Sequence, residues 1–168
     1  CIRDSALAHA IESAVSRRRT PFSSIYSREA FRLIQEHLET ILVNPDDVIA
    51  RGEVLLGAAY AGIAIENSML GCAHSAANPL TAHYGTVHGN AVGLLLPHAM
   101  RYNSEDPSAL TEYARLALEN RLVNRDATES EAFETEAFET EVFDTVVFEI
   151  GMFERQFFES QAFESTVF

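Results

Sequence analysis

Apolar residues recur every three or four positions through most of the first 120 residues, and this helical period constrains the fold more than any other feature. The clearest example covers residues 27–42, where Ala, Phe, Ile and Leu form one continuous stripe. The sequence Asn44-Pro45-Asp46-Asp47 follows, a composition that ends one helix and caps the next. We therefore predict a helical hairpin in this part of the chain.

The remaining segments also have a helical period, and none shows the alternating pattern of a strand. A helix is predicted over residues 4–17. Residues 46–71 form a long segment rich in Ala and Gly, which we expect in the middle of a bundle. The next predictions are a short helix at 72–77, a loop at 78–89, a helix at 90–103 that Pro97 interrupts or kinks, and a last helix at 107–120. The predicted fold class is all-α, a helical bundle over residues 1–122.

The predicted second region, residues 123–168, has a different composition. Phe occurs at every fifth position from Phe133 to Phe168, a period that matches neither a helix nor a strand. A pentapeptide-repeat solenoid would need a small residue two positions before each Phe, and five of these eight positions hold Glu or Gln. An irregular, acidic low-complexity tail is the preferred interpretation, with a solenoid or a partner-stabilised helix as alternatives.

Charge and composition exclude several classes of function. Residues 1–125 contain 13 acidic and 11 basic side chains, whereas residues 126–168 contain 12 acidic side chains and one basic side chain. The only basic cluster is three consecutive Arg residues, so we expect no nucleic-acid partner. We expect no membrane span and no signal peptide, and therefore a cytoplasmic protein. The two Cys residues suggest neither a disulfide framework nor a thiolate zinc site.

Histidines are the residues that could carry chemistry. His9 lies on the first predicted helix, and His74 and His88 lie fourteen residues apart in the sequence HSAANPLTAHYGTVHG. Neutral imidazoles from separate segments can form a closed metal site. Six His residues in a helical domain are, however, more often surface or core residues, and the spacing alone leaves both interpretations open.

Four stretches of the sequence together resemble the iron-containing alcohol dehydrogenase family. They are SALAHAIES, RRTPFS followed by REAFRLI, ARGEVLLGAAYAGIAIENSMLG, and HSAANPLTAHYGTVHGNAVGLLLPHAMRYN. The resemblance covers residues 4–118. Members of this family have an N-terminal α/β domain that binds NAD or NADP and an all-α C-terminal domain that binds the metal.

The resemblance implies a role for several residues. In the family an Asp and three His bind Fe(II), sometimes Zn(II), which polarises the alcohol oxygen for hydride transfer. At the matching motif positions, His9, His74 and His88 are the implied metal ligands. Asn78 stands where many members have a further His near the nicotinamide, and one branch has Asn there, so a contact with the cofactor is implied. Neither His83 nor His98 matches a ligand position.

One ligand position departs from the family pattern. The family Asp lies four residues before the first His, and this chain has Ser5 at that position. Asp4, the nearby carboxylate, lies about 140° around the helix from His9 instead of about 40°. Asp4 is therefore a candidate ligand only if the first helical turn is frayed or bulged. A weakened three-histidine site is the direct expectation.

No strand followed by a Gly-rich turn precedes the helical region. The resemblance therefore implies a fragment of an NAD(P)-dependent dehydrogenase for a small alcohol or aldehyde. We expect such a fragment to be inactive alone, and to form a homo-oligomer as family members often do. No side chain is predicted to act directly as a catalytic group. The alternatives are a non-enzymatic binding or scaffold protein that acts through the acidic tail, and a truncated gene product.

Overall fold

The computed structural model describes the backbone of residues 2–120 and the side chains of residues 5–120. This part of the chain contains six α-helices and no strand, which confirms the all-α prediction. The helices are α1 (Ile2–Val15), α2 (Pro21–Val43), α3 (Val48–Glu66), α4 (Cys72–Tyr84), α5 (His88–Asn103) and α6 (Pro107–Glu119). The predictions for the repeat tail lie outside the described residues.

Helix starts follow the capping signals in the sequence. The Thr20 side chain accepts a hydrogen bond from the Ser23 backbone, and Ser23 reciprocates on the Thr20 backbone, so α2 begins with a complete capping box. Asp47 caps α3 by accepting from the backbone of Ala50. Asp106 caps α6, with Pro107 in its first turn. The predicted hairpin of α2 and α3 is confirmed.

The prediction of a short helix followed by a loop at 78–89 is wrong, because α4 continues to Tyr84 and passes through Asn78 and Pro79. Pro79 is exposed, as is Ser75, whose carbonyl would otherwise accept a hydrogen bond from residue 79. The helix ends at Gly85, which adopts a left-handed φ of 67°. Helix α5 likewise continues through Pro97.

Helices α1, α2 and α3 pack against one another, and α5 and α6 pack on α1. The contact between α2 and α3 is close at Gly57, where a Cβ would come within 2.7 Å of Ile34 Cγ1 and 3.2 Å of the Ala30 carbonyl oxygen. The core contains mainly Ala, Leu and Ile side chains. Small residues on α3 therefore let the backbone of α2 approach closely.

The described residues cover only one side of α3, which differs from its expected place in the middle of the bundle. A stripe along the other side exposes large apolar side chains: Val48, Ile49, Leu55, Leu56 and Ile63. We call these five residues the outer stripe. By length and composition α3 could cross a membrane, a test that core helices of soluble proteins also pass.

Candidate metal centre

Helix α1 presents three polar side chains on one face. Ser5, His9 and Glu12 are separated by four and three residues, the spacing that aligns side chains on one side of a helix. All three lie close to His74 of α4. His74 lies in the first turn of α4, and His88 is the first residue of α5. Two helix starts and one helix face thus form a single polar cluster.

The imidazoles of His9, His74 and His88 lie side by side. The ring centroids of His9 and His74 are 4.7 Å apart, and those of His74 and His88 are 5.4 Å apart. The hydroxyl oxygen of Ser5 lies 3.1 Å from His9 Nε2 and 3.4 Å from His74 Nε2. Two ring nitrogens from different helices therefore converge on one hydroxyl group.

Glu12 is 1% exposed and lies behind His74. Its Oε2 is 2.6 Å from His74 Nδ1, and its Oε1 accepts a 2.7 Å hydrogen bond from the backbone N–H of Ala73. A Cβ at Gly71 would come within 2.6 Å of Oε1, so the carboxylate occupies space that glycine leaves free. A cavity of about 950 Å³ lies between α1, α5 and α6. Glu12 lines this cavity, whereas Ser5 and the three histidines do not.

Burial and the neighbouring His74 and His88 together lower the pKa of His9 to about 4, although Glu12 partly opposes this shift. His9 is therefore neutral at pH 7, with a lone pair on one ring nitrogen. A neutral imidazole is the form that binds a metal ion.

The three imidazoles are donors that suit a transition-metal ion, and their ring spacing is near that of two ligands on one ion. Two imidazoles on one ion, with N–metal distances of about 2.1 Å, place their ring centroids about 4.5 to 5.2 Å apart. The separations of 4.7 and 5.4 Å are close to this range. Among the described residues, no three His, Cys, Asp or Glu side chains already enclose an ion position. Small ring rotations, with displacement of the Ser5 hydroxyl from between the rings, would be needed.

The other predicted site residues lie apart from this cluster or cannot be placed. Asn78, His83 and His98 are exposed, and the structure records no hydrogen bond between their side chains and the cluster. The side chain of Asp4 lies outside the described residues. Ser5 instead occupies the helical position next to His9.

Sequence reasoning did not assign a role to Glu12. Its signals were its place in the stretch SALAHAIES, which carries part of the family resemblance, and its spacing of three residues from His9, which places both on one helix face. That spacing does not reveal a partner 62 residues away.

Comparison with known proteins gives this arrangement a context. Residues 5–147 match the model of the Fe-containing alcohol dehydrogenase family, C-terminal. The chain is 30% identical over 126 residues to 1-propanol dehydrogenase PduQ of Citrobacter freundii, covering 75% of this chain and 34% of that protein. It is 34% identical over 116 residues to 1,3-propanediol dehydrogenase of Klebsiella pneumoniae, covering 68% and 30%. The chain thus spans about a third of the length of these curated relatives.

Solved structures agree with the sequence relatives. The fold is similar to that of a 1,3-propanediol oxidoreductase, with a TM-score of 0.76, 27% identity, and coverage of 89% of this chain and 38% of that chain. An alcohol dehydrogenase from Oenococcus oeni gives a TM-score of 0.75 at 28% identity, with the same coverage. The chain belongs to the iron-containing alcohol dehydrogenase family and carries its C-terminal helical domain.

Proposed function

We propose that this chain supplies the metal-binding part of a dehydrogenase that interconverts an alcohol and an aldehyde with NAD or NADP. The observation that carries the proposal is the convergence of the imidazoles of His9, His74 and His88 from three helices. A bound Fe(II) or Zn(II) would act as a Lewis acid on the substrate oxygen. The names of the relatives support a short primary alcohol as the substrate class.

The residues of the chain would divide the work in this proposal. His9, His74 and His88 would hold the ion through ring nitrogens. The hydroxyl of Ser5 would stand where the family has a carboxylate, so the described residues would offer the ion no negatively charged ligand. Asn78, exposed on α4, would face the nicotinamide of NAD or NADP. A nucleotide-binding domain would bind that cofactor.

Metal binding by the purified chain is the first test. We expect Zn(II) or Co(II), and Fe(II) under anaerobic conditions, to bind with a stoichiometry of one per chain. The variant His74→Ala should lose this binding, whereas His83→Ala, a matched control at an exposed position of the same helix, should keep it. Equal binding by both variants would reject the proposed site.

Activity is the second test. The chain alone should not oxidise 1-propanol with NAD or NADP. A fusion of the nucleotide-binding domain of 1-propanol dehydrogenase to residues 1–168 should recover NAD(P)-dependent oxidation, and His74→Ala in the fusion should abolish it. A folded, metal-loaded fusion without activity would contradict the enzymatic part of the proposal.

A non-enzymatic binding role for the acidic repeat tail is the alternative proposal. Its support is compositional, since Phe residues on an acidic low-complexity sequence are common in binding segments. Deletion of residues 126–168 should then abolish the capture of partner proteins in a pull-down and leave metal binding unchanged. An unchanged set of partners after the deletion would reject this alternative.

A further inference from the structure

We infer that Glu12 is a positioning residue that holds His74 in a single tautomer, with the proton on Nδ1 and the lone pair of Nε2 facing Ser5 and His9. The inference about the tautomer stands on hydrogen bonds within the metal-free chain. Its consequence for metal affinity rests on the proposed function.

The first step concerns the proton between Glu12 and His74. Glu12 accepts a hydrogen bond from the Ala73 backbone on one oxygen, and its other oxygen lies 2.6 Å from His74 Nδ1. A carboxylate can accept at both oxygens, and the short distance is typical of a charge-assisted bond. Because a carboxylate has no proton to donate, Nδ1 is the donor of this pair. The single N–H of a neutral imidazole is then used in this bond.

The second step follows from the shape of the ring. With Nδ1 as the donor to Glu12, Nε2 carries a lone pair on the opposite side of the imidazole. That atom lies 3.4 Å from the hydroxyl oxygen of Ser5, on the side where His9 lies. Carboxylate, imidazole and ligand site are thus arranged in line, as in carboxylate–histidine–metal units.

The third step concerns how firmly Glu12 is held. Gly71 is the N-cap residue of α4 and offers no side-chain cap, so the Glu12 oxygen on the Ala73 N–H caps α4 from another helix. A Cβ at Gly71 would displace that oxygen. The same carboxylate therefore fixes the start of α4 and the orientation of the His74 ring.

Glu12 also supplies negative charge at the site. Where the family has an Asp, this chain has the neutral Ser5. Among the side chains that the structure describes, Glu12 is the acidic group hydrogen-bonded to one of the three imidazoles, that of His74. A carboxylate behind a ligating imidazole raises the basicity of that ligand and offsets part of the charge of a bound cation.

The test uses the full chain with a chelator and ¹⁵N-labelled histidine. Long-range ¹H–¹⁵N NMR spectra distinguish a protonated Nδ1 from a protonated Nε2, and the His74→Gln variant identifies the His74 signals. We expect the wild-type His74 to be the Nδ1–H tautomer alone. A predominant Nε2–H form in the wild type would overturn the inference, whether or not any variant folds.

Two variants then separate positioning from general stability. Glu12→Gln keeps the shape of the side chain and removes its charge, and Gly71→Ala displaces the carboxylate without changing its charge. Each should give a mixture of tautomers at His74 and lower Co(II) affinity by about 10- to 100-fold. Glu36→Gln, at an exposed position of α2, should change neither. A folded Glu12→Gln variant that keeps one tautomer and wild-type affinity would overturn the inference.

The two proposals fail in different ways. A wild-type chain with the Nδ1–H tautomer but no metal binding would reject the proposed metal centre and leave the role of Glu12 in orienting His74 intact. A metal-binding chain with the opposite tautomer would reject only the role of Glu12.

Discussion

The cluster at the starts of α4 and α5 and the outer stripe of α3 have opposite relations between polarity and exposure. Glu12 and His74 are almost fully buried although they are polar, whereas Val48, Ile49 and Leu55 are mostly exposed although they are apolar. Buried polar groups are tolerated when hydrogen bonds satisfy them, and Glu12 and His74 satisfy each other. An exposed apolar stripe has no such internal compensation.

This contrast indicates that the two regions are under different constraints. The cluster is complete within the described residues, because each of its contacts is made by α1, α4 or α5. The outer stripe is continuous with a hydrophobic groove of about 540 Å³ lined by Ile41, Pro45 and Val54 among others. Substitutions should therefore have large effects at the cluster and on the inner side of α3, and small effects on the outer stripe.

The largest expected effect on the free energy of unfolding is at Val54 of α3, and the adjacent Leu55 is its control. Val54 is 3% exposed and Leu55 is 67% exposed. Val54→Gln should lower the free energy of unfolding by about 3 kcal/mol or more, because it buries an amide in place of a methyl pair. Leu55→Gln should change it by less than about 0.5 kcal/mol. Urea unfolding of both variants measures the difference, and an equal loss at Leu55 would show that the outer stripe is buried in solution.

Glycines on α3 give the next largest effect. Gly57→Ala should lower the free energy of unfolding by about 1–3 kcal/mol, because its Cβ would meet Ile34 on α2. At Gly62 a Cβ meets nothing within 4 Å, so Gly62→Ala should raise stability by about 0.5–1 kcal/mol through the better helix propensity of Ala. Thermal or urea unfolding checks the opposite signs. A stabilising Gly57→Ala would show that α2 and α3 are not in close contact.

Ser5→Asp tests the ligand position at which this chain departs from its family. A carboxylate beside the His9 and His74 rings should increase Zn(II) affinity by at least about tenfold, equal to about 1.4 kcal/mol. Ser5→Asn, which is similar in size and uncharged, is the control and should give no increase. Calorimetric titration with Zn(II) measures both. Equal affinities for the two variants would show that position 5 does not contact the ion.

The acid stability of the metal-free chain gives a further contrast, between His9 and His83. Because folding lowers the pKa of His9 to about 4, the unfolded chain binds this proton first as the pH falls. Stability from this group is therefore complete above pH 6.5 and decreases as the pH falls from about 6.5 to about 4. His9→Asn should reduce this decrease, and His83→Asn, an exposed control, should not. Urea unfolding at pH 7 and pH 4.5 with a chelator tests the sign.

Local signals predicted most of the fold. Thr20, Pro21 and Asp47 mark helix starts through hydrogen bonds with nearby residues, so a short stretch of sequence is sufficient to find them. The predicted loop at 78–89 was wrong, because α4 continues through Asn78 and Pro79. Gly85 was the better signal for the end of α4.

The site was predictable only in part. His9, His74 and His88 came from a family resemblance, and their role as ligands stays a prediction. The role of Glu12 depends on the distance between α1 and α4, which no periodicity contains. The exposure of α3 could not be predicted from its sequence either. An apolar composition is compatible both with a central helix and with a helix that is covered on one side only.

The sequence separations within the cluster have a consequence for biosynthesis. Glu12 and His74 are 62 residues apart, and Ser5 and His74 are 69 apart. At translation rates of about 5–20 residues per second, α1 is made roughly 3 to 12 s before its partner histidine. During that interval its carboxylate and imidazole remain hydrated. An ion that bound the completed cluster would then retain the late-docking α4 and α5 on α1, so metal supply would influence how much newly made chain reaches the folded state.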